Sequence, residues 1–214
     1  MQIINNTILF VKNQLTHAEG GHDWFHIERV YKNALLIAEE EECDLTVVKL
    51  AALLHDIADS KFHGGDESVG PKTARTFLES QNVSEDIILH VIAIIENISF
   101  KGGNFEKQFH SKELEIVQDA DRLDAIGAIG IARTFNYGGF KNRPLYNPNI
   151  QPNLNMSKEE YKNSESPTLN HFYEKLLLLK DKMNTETGKK IAQKRHDFMV
   201  TFLSQFYSEW DGEA

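Results

Sequence analysis

The sequence predicts an all-α protein. Several segments repeat apolar residues at intervals of three and four, the period of one face of an α-helix, as Ile4, Ile8 and Val11 do. Residues 47–54 are apolar almost all the way round, which is typical of a helix buried on most sides. No stretch alternates apolar and polar residues over the length of a strand, and no internal repeat is present. Helices are therefore the only regular elements expected.

Two aspartates precede helical patterns at the position of an N-cap. Asp23 is expected to cap a helix that runs from Trp24 to about Glu41, and Asp44 is expected to cap the buried helix. The Gly20-Gly21 pair marks a break before the first of these two helices. The remaining helices are predicted, in chain order, over residues 3–15, 72–78, 84–95, 111–135 with an interruption or tight packing at Gly127 and Gly130, 169–183 and 187–207.

Residues 136–166 are rich in Asn, Pro and Gly and show little periodicity. They predict a long surface excursion, either a lid over a site or a disordered insert. The two helices after it, 169–183 and 187–207, are expected to pack on the preceding helical bundle, so that residues 1–214 form one domain.

The bulk composition narrows the class of protein. A net charge of -9 argues against a nucleic-acid-binding surface, because such a surface needs a basic face. One cysteine, Cys43, excludes an intrachain disulfide framework and fits a reducing cytosol. The N-terminus does not resemble a secretory signal, and no apolar run approaches the roughly 20 residues that span a bilayer. We expect a cytoplasmic protein without a membrane segment, either a monomer or a homodimer.

Candidate metal ligands lie within the apolar helical patterns. His26 shares a helical stripe with Val30, and the pair His55-Asp56 ends the apolar run 47–54. A buried carboxylate must be neutralised, paired or bound to a metal. The structural alternatives are a hydrogen-bonded core histidine at position 26 and a His–Asp hydrogen bond or a cap at the pair.

A third cluster is the run VQDADRLDAIGA, which places Asp119, Asp121 and Asp124 among apolar residues. Arg122 can neutralise one of these acids by a bidentate ion pair, and the remaining carboxylates then need another partner. Two histidine nitrogens with two carboxylate oxygens would form a site suited to Mn, Fe, Co, Ni or Zn. Water bound to such an ion loses its proton more easily than bulk water and can attack phosphorus.

The residues His26, His55-Asp56 and Asp121 resemble the H…HD…D signature of the HD-domain superfamily of metal-dependent phosphohydrolases. Their flanks HIERV, LLHDIAD and DADRLDAIGA resemble it too, and the similarity extends over most of the chain. The resemblance implies an HD-domain helical bundle in which these four residues bind one divalent metal ion. Manganese is favoured, with Fe, Co, Ni, Zn or Mg as alternatives.

One metal ion is expected rather than two. Two-metal members of the superfamily add histidines between the HD doublet and the last Asp, where this chain has only His63, His90 and His110, none at a paired spacing. His22 and His26 are four residues apart, a spacing at which two histidines of one helix can bind zinc. The predicted cap at Asp23 places His22 before the helix, so the two are not expected to form a ligand pair.

The resemblance also implies a substrate. The chain is similar to small bacterial HD hydrolases that act on nucleotides, and the leading expectation is pyrophosphate release from (deoxy)nucleoside triphosphates by attack of a metal-bound hydroxide. Alternatives are a nucleoside monophosphatase and a cyclic-nucleotide phosphodiesterase. A different class is a non-catalytic protein that binds and senses a nucleotide or a metal.

Four further residues are candidates for the substrate side of the site. Asp59 occupies the position where relatives carry a water-orienting acid, and it can serve as general base or cap the turn. Lys61 and Arg122 are candidates to hold phosphate, with an exposed lysine and an ion pair to Asp119 or Asp124 as their alternatives. His22 is a candidate for the mouth of the pocket.

Overall fold

The computed structural model describes residues 2–16, 23–57, 66, 68–98, 109–156 and 166–213. Within these ranges the chain is helical and has no β-strand, which confirms the all-α prediction. It divides into two compact units, Met1–Asp121 and Arg122–Ala214. The helices are α1 (Gln2–Gln14), α2 (Trp24–Ala38), α3 (Leu45–Leu54), α4 (Val69–Ser80), α5 (Glu85–Asn97), α6 (Lys112–Asp124), α7 (Gly127–Phe140), α8 (Asn170–Glu174), a 3₁₀ helix (Leu176–Lys182) and α9 (Glu186–Asp211).

Helix α3 is the centre of the first unit. It packs against α1, α2 and α5, while α4 packs on α5. Residues 50–54 are all fully buried. A helix with neighbours on several sides needs an apolar surface around its whole circumference, which is what its sequence provides. The polar pair His55-Asp56 directly follows this helix, so the packing of the helix fixes the position of these two residues.

Both predicted N-caps are present. The Asp23 carboxylate accepts a hydrogen bond of 2.9 Å from the backbone N–H of His26. The Asp44 carboxylate accepts one of 2.8 Å from the N–H of Thr46. The backbone N–H of Asp44 in turn donates to Glu113 Oε1 at 2.8 Å, which ties the start of α3 to α6. The caps thus fix where α2 and α3 begin.

The chain between α6 and α7 changes direction at two glycines. Helix α6 ends at Asp124, and Gly127 begins α7 with a φ of +77°, a conformation that favours glycine. A Cβ at Gly130 would lie 2.2 Å from the carbonyl oxygen of Ala125. The predicted interruption at Gly127 and close packing at Gly130 are therefore both found.

Helix α7 continues to Phe140, so residues 136–140 belong to a helix and not to the predicted surface excursion. Gly138 in this last part lies against Thr168, whose Oγ1 would be 2.2 Å from an added Cβ. Packing against Thr168 therefore overrides the low helix propensity of the glycines. Residues 157–165 of the expected excursion lie outside the described residues.

The C-terminal helices also differ from the prediction. Residues 169–183 form the short α8 and a 3₁₀ helix instead of one α-helix. The last helix, α9, starts one residue before the predicted 187 and extends past 207 to Asp211, with Thr185 as its N-cap. It packs on α7 and on the 3₁₀ helix within the second unit. None of the helices in the described ranges has the length and apolarity required to cross a membrane.

Candidate metal centre

His26 lies in the first turn of α2 and points into the first unit. Its side chain is only 3 % exposed. The Asp23 cap is bonded to the backbone of this same residue, so the start of the helix and the position of the imidazole are set together. The rings of His26 and His55 meet edge to face, with centroids 5.4 Å apart at an angle of 68°.

His55 is the C-cap of α3, and its own helix fixes its protonation pattern. Nδ1 lies 2.9 Å from the carbonyl oxygen of Ala52. A carbonyl can only accept, so Nδ1 carries a proton and donates it, and Nε2 is the ring nitrogen that can offer a lone pair in this tautomer. That Nε2 is buried and has no hydrogen-bond partner in the part of the chain that the structure describes. A buried lone pair without a donor suits a metal ligand.

Three ligand atoms come together at this point. One nitrogen of His26, one nitrogen of His55 and one carboxylate oxygen of Asp56 all lie within 4.8 Å of one another. They come from the start of α2 and the end of α3, the two helices that pack most extensively in the first unit. Two imidazoles and a carboxylate form a mixed nitrogen and oxygen donor set that can hold a divalent transition metal.

Asp121 approaches the same cluster from α6. Its Oδ1 lies 3.5 Å from His26 Nε2 and 4.0 Å from His55 Nε2. Unlike the two histidines, it is 42 % exposed, so the cluster is open to solvent on its side. The structure therefore brings together all four residues for which a metal role is predicted. A cation among these lone pairs would remove the repulsion between the carboxylates.

The other two acids of the run at residues 119–124, Asp119 and Asp124, lie away from solvent. Both are almost fully buried. Asp124 accepts an ion-paired hydrogen bond from Arg133. Burial lowers the pKa of Arg195, and the Asp124 carboxylate opposes this shift. Sequence reasoning missed both arginines, because a buried acid signals the need for a cation without indicating which distant residue supplies it.

Of the four residues predicted to act on the substrate side of the site, the structure describes only Arg122. Arg122 Nη1 donates to the carbonyl oxygen of Lys182 at 2.6 Å, within the second unit. Its phosphate-binding role stays a prediction. His22, Asp59 and Lys61 lie outside the described residues, so their roles also stay predictions.

Comparison with known proteins identifies the family. A model of the HD domain matches residues 24–126, a range that contains all four clustered residues. The Bacillus subtilis protein YpgQ is 38 % identical over 213 residues, which cover 95 % of this chain and 91 % of YpgQ. The chain belongs to the HD-domain superfamily. Membership of this superfamily implies binding of a divalent ion, which accounts for the cluster of His26, His55 and Asp56.

Solved structures of HD proteins agree with this assignment. An HD-superfamily hydrolase from Bacillus thuringiensis superposes with a TM-score of 0.79 and 45 % identity, covering 98 % of this chain and 97 % of that one. YpgQ in complex with ADP superposes with a TM-score of 0.75 and 34 % identity, covering 97 % and 95 %. This HD protein is accordingly a metal-dependent phosphohydrolase.

Proposed function

We propose that this HD hydrolase acts on nucleotides, and that its leading reaction is release of pyrophosphate from (deoxy)nucleoside triphosphates. The observation that carries the nucleotide assignment is the ADP complex of YpgQ, a protein similar to this one over nearly its whole length. A nucleoside diphosphate bound to such a neighbour supports a site that accepts a base, a sugar and at least two phosphates.

We assign the metal ion to His26, His55, Asp56 and Asp121, with manganese favoured over Fe, Co, Ni, Zn or Mg. Such an ion supplies Lewis acidity at phosphorus and lowers the pKa of coordinated water. The protein supplies the geometry: Ala52 orients the His55 ring through its carbonyl oxygen, and the exposed side of Asp121 leaves room for substrate. The donor set, with no thiolate, suits a fairly hard divalent ion.

Charge also bears on the reaction. The chain carries a net charge of -9, so it repels a free triphosphate at long range. A bound divalent ion and a few local cations are therefore needed at the point of contact. Lys61 and Arg122 are the proposed cations, and Asp59 is the proposed general base. The similarity to YpgQ spans 95 % of this chain, which supports one hydrolase made of residues 1–214.

Product analysis tests the proposal directly. The purified chain would be incubated with Mn²⁺ and each of the common ribo- and deoxyribonucleoside triphosphates, and the products separated by ion-exchange chromatography. We expect a nucleoside monophosphate and pyrophosphate in equal amounts. Release of inorganic phosphate without pyrophosphate, with a nucleoside diphosphate as the other product, would overturn the pyrophosphate assignment and point to a phosphatase.

A variant of the cluster tests whether hydrolysis depends on the proposed metal ion. Asp56→Asn removes one carboxylate charge from the cluster while it keeps the size of the side chain, and turnover should be lost. If the unaltered chain binds nucleotide by calorimetry but hydrolyses no nucleotide, including monophosphates and cyclic nucleotides, the nucleotide-hydrolase proposal fails and the protein is a binder.

A further inference from the structure

A side-chain amide connects the two helices that carry His26 and Asp121. Asn33 Nδ2, on α2, donates to the carbonyl oxygen of Ala120, on α6, at 3.2 Å. The bond is buried, and Asn33 is 9 % exposed. Ala120 directly precedes Asp121 in the chain. The hydrogen bond therefore acts on the backbone next to a proposed metal ligand.

Asn33 lies on the same face of α2 as His26. The two residues are seven positions apart, which corresponds to about two helical turns or roughly 10 Å along the axis. Val30 and Ile37 share this face and are fully buried. Helices α2 and α6 therefore approach each other at two polar points, His26 with Asp121 and Asn33 with Ala120.

The amide is not needed to fill space at this position. An apolar side chain of similar size would match its neighbours Val30, Ala34 and Ile37, all of which are fully buried. Ala120 also lies within α6, where the helix itself supplies backbone donors to its carbonyl groups. The bond from Asn33 is thus an additional, directional restraint between the two helices.

A second amide restrains the same part of α6. Gln118 is 3 % exposed, and its Nε2 donates to the carbonyl oxygen of Asn97 at 2.9 Å, at the end of α5. Helix α6 is thereby held to both α2 and α5 within one turn of Asp121. Metal ligands must lie within about 0.5 Å of their productive positions, so restraint of this turn bears directly on the site.

We propose that Asn33 is a positioning residue for the metal centre, which sets the register of α6 on α2 and so places Asp121 opposite His26. This inference rests on the proposed metal role of those two residues. Asn33 does not touch the ion or the substrate, and it acts through the backbone of Ala120. Its loss should weaken metal binding more than it weakens the fold.

The test compares metal affinity with stability in two variants of Asn33. Asn33→Leu keeps the approximate shape and removes the donor, and Asn33→Asp keeps the shape and replaces the donor with an acceptor. Mn²⁺ affinity of the full chain would be measured by isothermal titration calorimetry, and thermal unfolding would be followed in excess chelator. We expect the Kd for Mn²⁺ to rise about tenfold or more in each variant, the range found when groups that orient metal ligands are lost.

Asn6 provides a matched control. Its Nδ2 donates at 2.7 Å to Gln81 Oε1, so Asn6→Leu removes a part-buried amide hydrogen bond that involves none of the helices carrying the proposed metal ligands. The Kd for Mn²⁺ should stay at the value of the unaltered chain.

The outcomes separate two failures. If the unaltered chain binds no Mn²⁺ or other divalent ion, the metal assignment itself is wrong. If it binds Mn²⁺ and both Asn33 variants bind it equally well, the positioning role is overturned. A lower unfolding temperature in chelator with unchanged affinity would also overturn it, because Asn33 would then be purely structural. If Asn33→Leu does not fold, the affinity of Asn33→Asp decides.

Discussion

The Nδ1 atom of His55 lies 2.9 Å from the carbonyl oxygen of Ala52, one turn earlier in the same stretch of chain. This contact fixes the tautomer of the ring with backbone atoms alone. The lone pair of Nε2 is consequently presented to His26 and Asp121 without the help of another side chain. Most metal-binding histidines are oriented by an outer hydrogen bond of this kind.

Replacement of a clustered ligand should remove activity without unfolding the protein. Asp56→Ala is expected to lower kcat/KM for metal-dependent hydrolysis by roughly 10³-fold or more, because one charged ligand is lost from the ion. Asp211→Ala, at an exposed residue near the end of α9, is the control and should leave the rate unchanged. Circular dichroism should show the same helix content in both variants, and a large loss of helix in Asp56→Ala would contradict a purely local role.

Removal of the metal should lower the stability of the fold. The proposed ligands come from α2, the end of α3 and α6, so only the folded chain can bring them together. Metal at 100 times its Kd should add about 2.7 kcal/mol to the free energy of unfolding. For a chain of this size, that corresponds to roughly 5–10 °C in the unfolding temperature. Differential scanning calorimetry with Mn²⁺ and with chelator measures the shift.

His26→Ala serves as the control for this effect. The variant should unfold at the same temperature with and without Mn²⁺, since it lacks one of the proposed ligands. A shift as large as that of the unaltered chain would place the stabilising ion elsewhere.

Stability should fall in acid partly because of His171. Burial lowers the pKa of His171 from 6.5 to about 3, and the cations Lys175 and Arg143 contribute in the same direction. Well above pH 6.5 the residue is neutral in both the folded and the unfolded chain, so it does not make the free energy of unfolding depend on pH. Between pH 6.5 and 3 only the unfolded chain takes up the proton, so the folded state loses up to about 1.4 kcal/mol per pH unit.

Urea unfolding at pH 7, 6, 5 and 4 tests this dependence. His171→Gln should lose less stability than the unaltered chain as the pH falls, because the substituted residue does not titrate. His110→Gln replaces an exposed histidine and should follow the unaltered chain. Identical pH profiles for all three proteins would mean that folded His171 accepts a proton near pH 6.

The sequence predicted those features that depend on neighbouring residues. Asp23 and Asp44 were identifiable as caps because each precedes a helical apolar pattern, and the helical class followed from the same periodicity. The gathering of His26, His55, Asp56 and Asp121 was expected from the resemblance to HD domains, whereas the residues alone indicated only that charge beside a buried helix needs a partner.

Features that depend on distant contacts were not predictable in the same way. Helix α7 extends to Phe140 through a glycine-rich segment because Gly138 packs against Thr168, which is remote in sequence. Arg133 pairs with Asp124 through the fold of the second unit. Asn33 gave no signal at all, because a single amide on an apolar helical face does not indicate its acceptor.

The N-cap of α9 should contribute measurably to stability. Thr185 is 1 % exposed, and its Oγ1 accepts a hydrogen bond of 2.9 Å from the N–H of Gly188. Thr185→Ala is expected to lower the free energy of unfolding by about 1–2 kcal/mol, because a buried donor loses its acceptor. Urea unfolding monitored by circular dichroism provides the measurement.

Ser84 is the matched control at the start of α5. In the described chain its side chain makes no capping hydrogen bond, although it occupies the equivalent position. Ser84→Ala should therefore change the free energy of unfolding by no more than about 0.5 kcal/mol. Equal losses at positions 84 and 185 would show that the Thr185 hydroxyl adds nothing beyond helix propensity.

The contact of Gly130 with the carbonyl oxygen of Ala125 restricts how this protein can diverge. At 2.2 Å, even the smallest side chain would collide with rigid backbone. Descendants can replace surface residues around the connection of α6 and α7, but a substitution at position 130 requires a new path for the chain. A relative with a larger residue at position 130 should therefore connect its α6 and α7 along a different path.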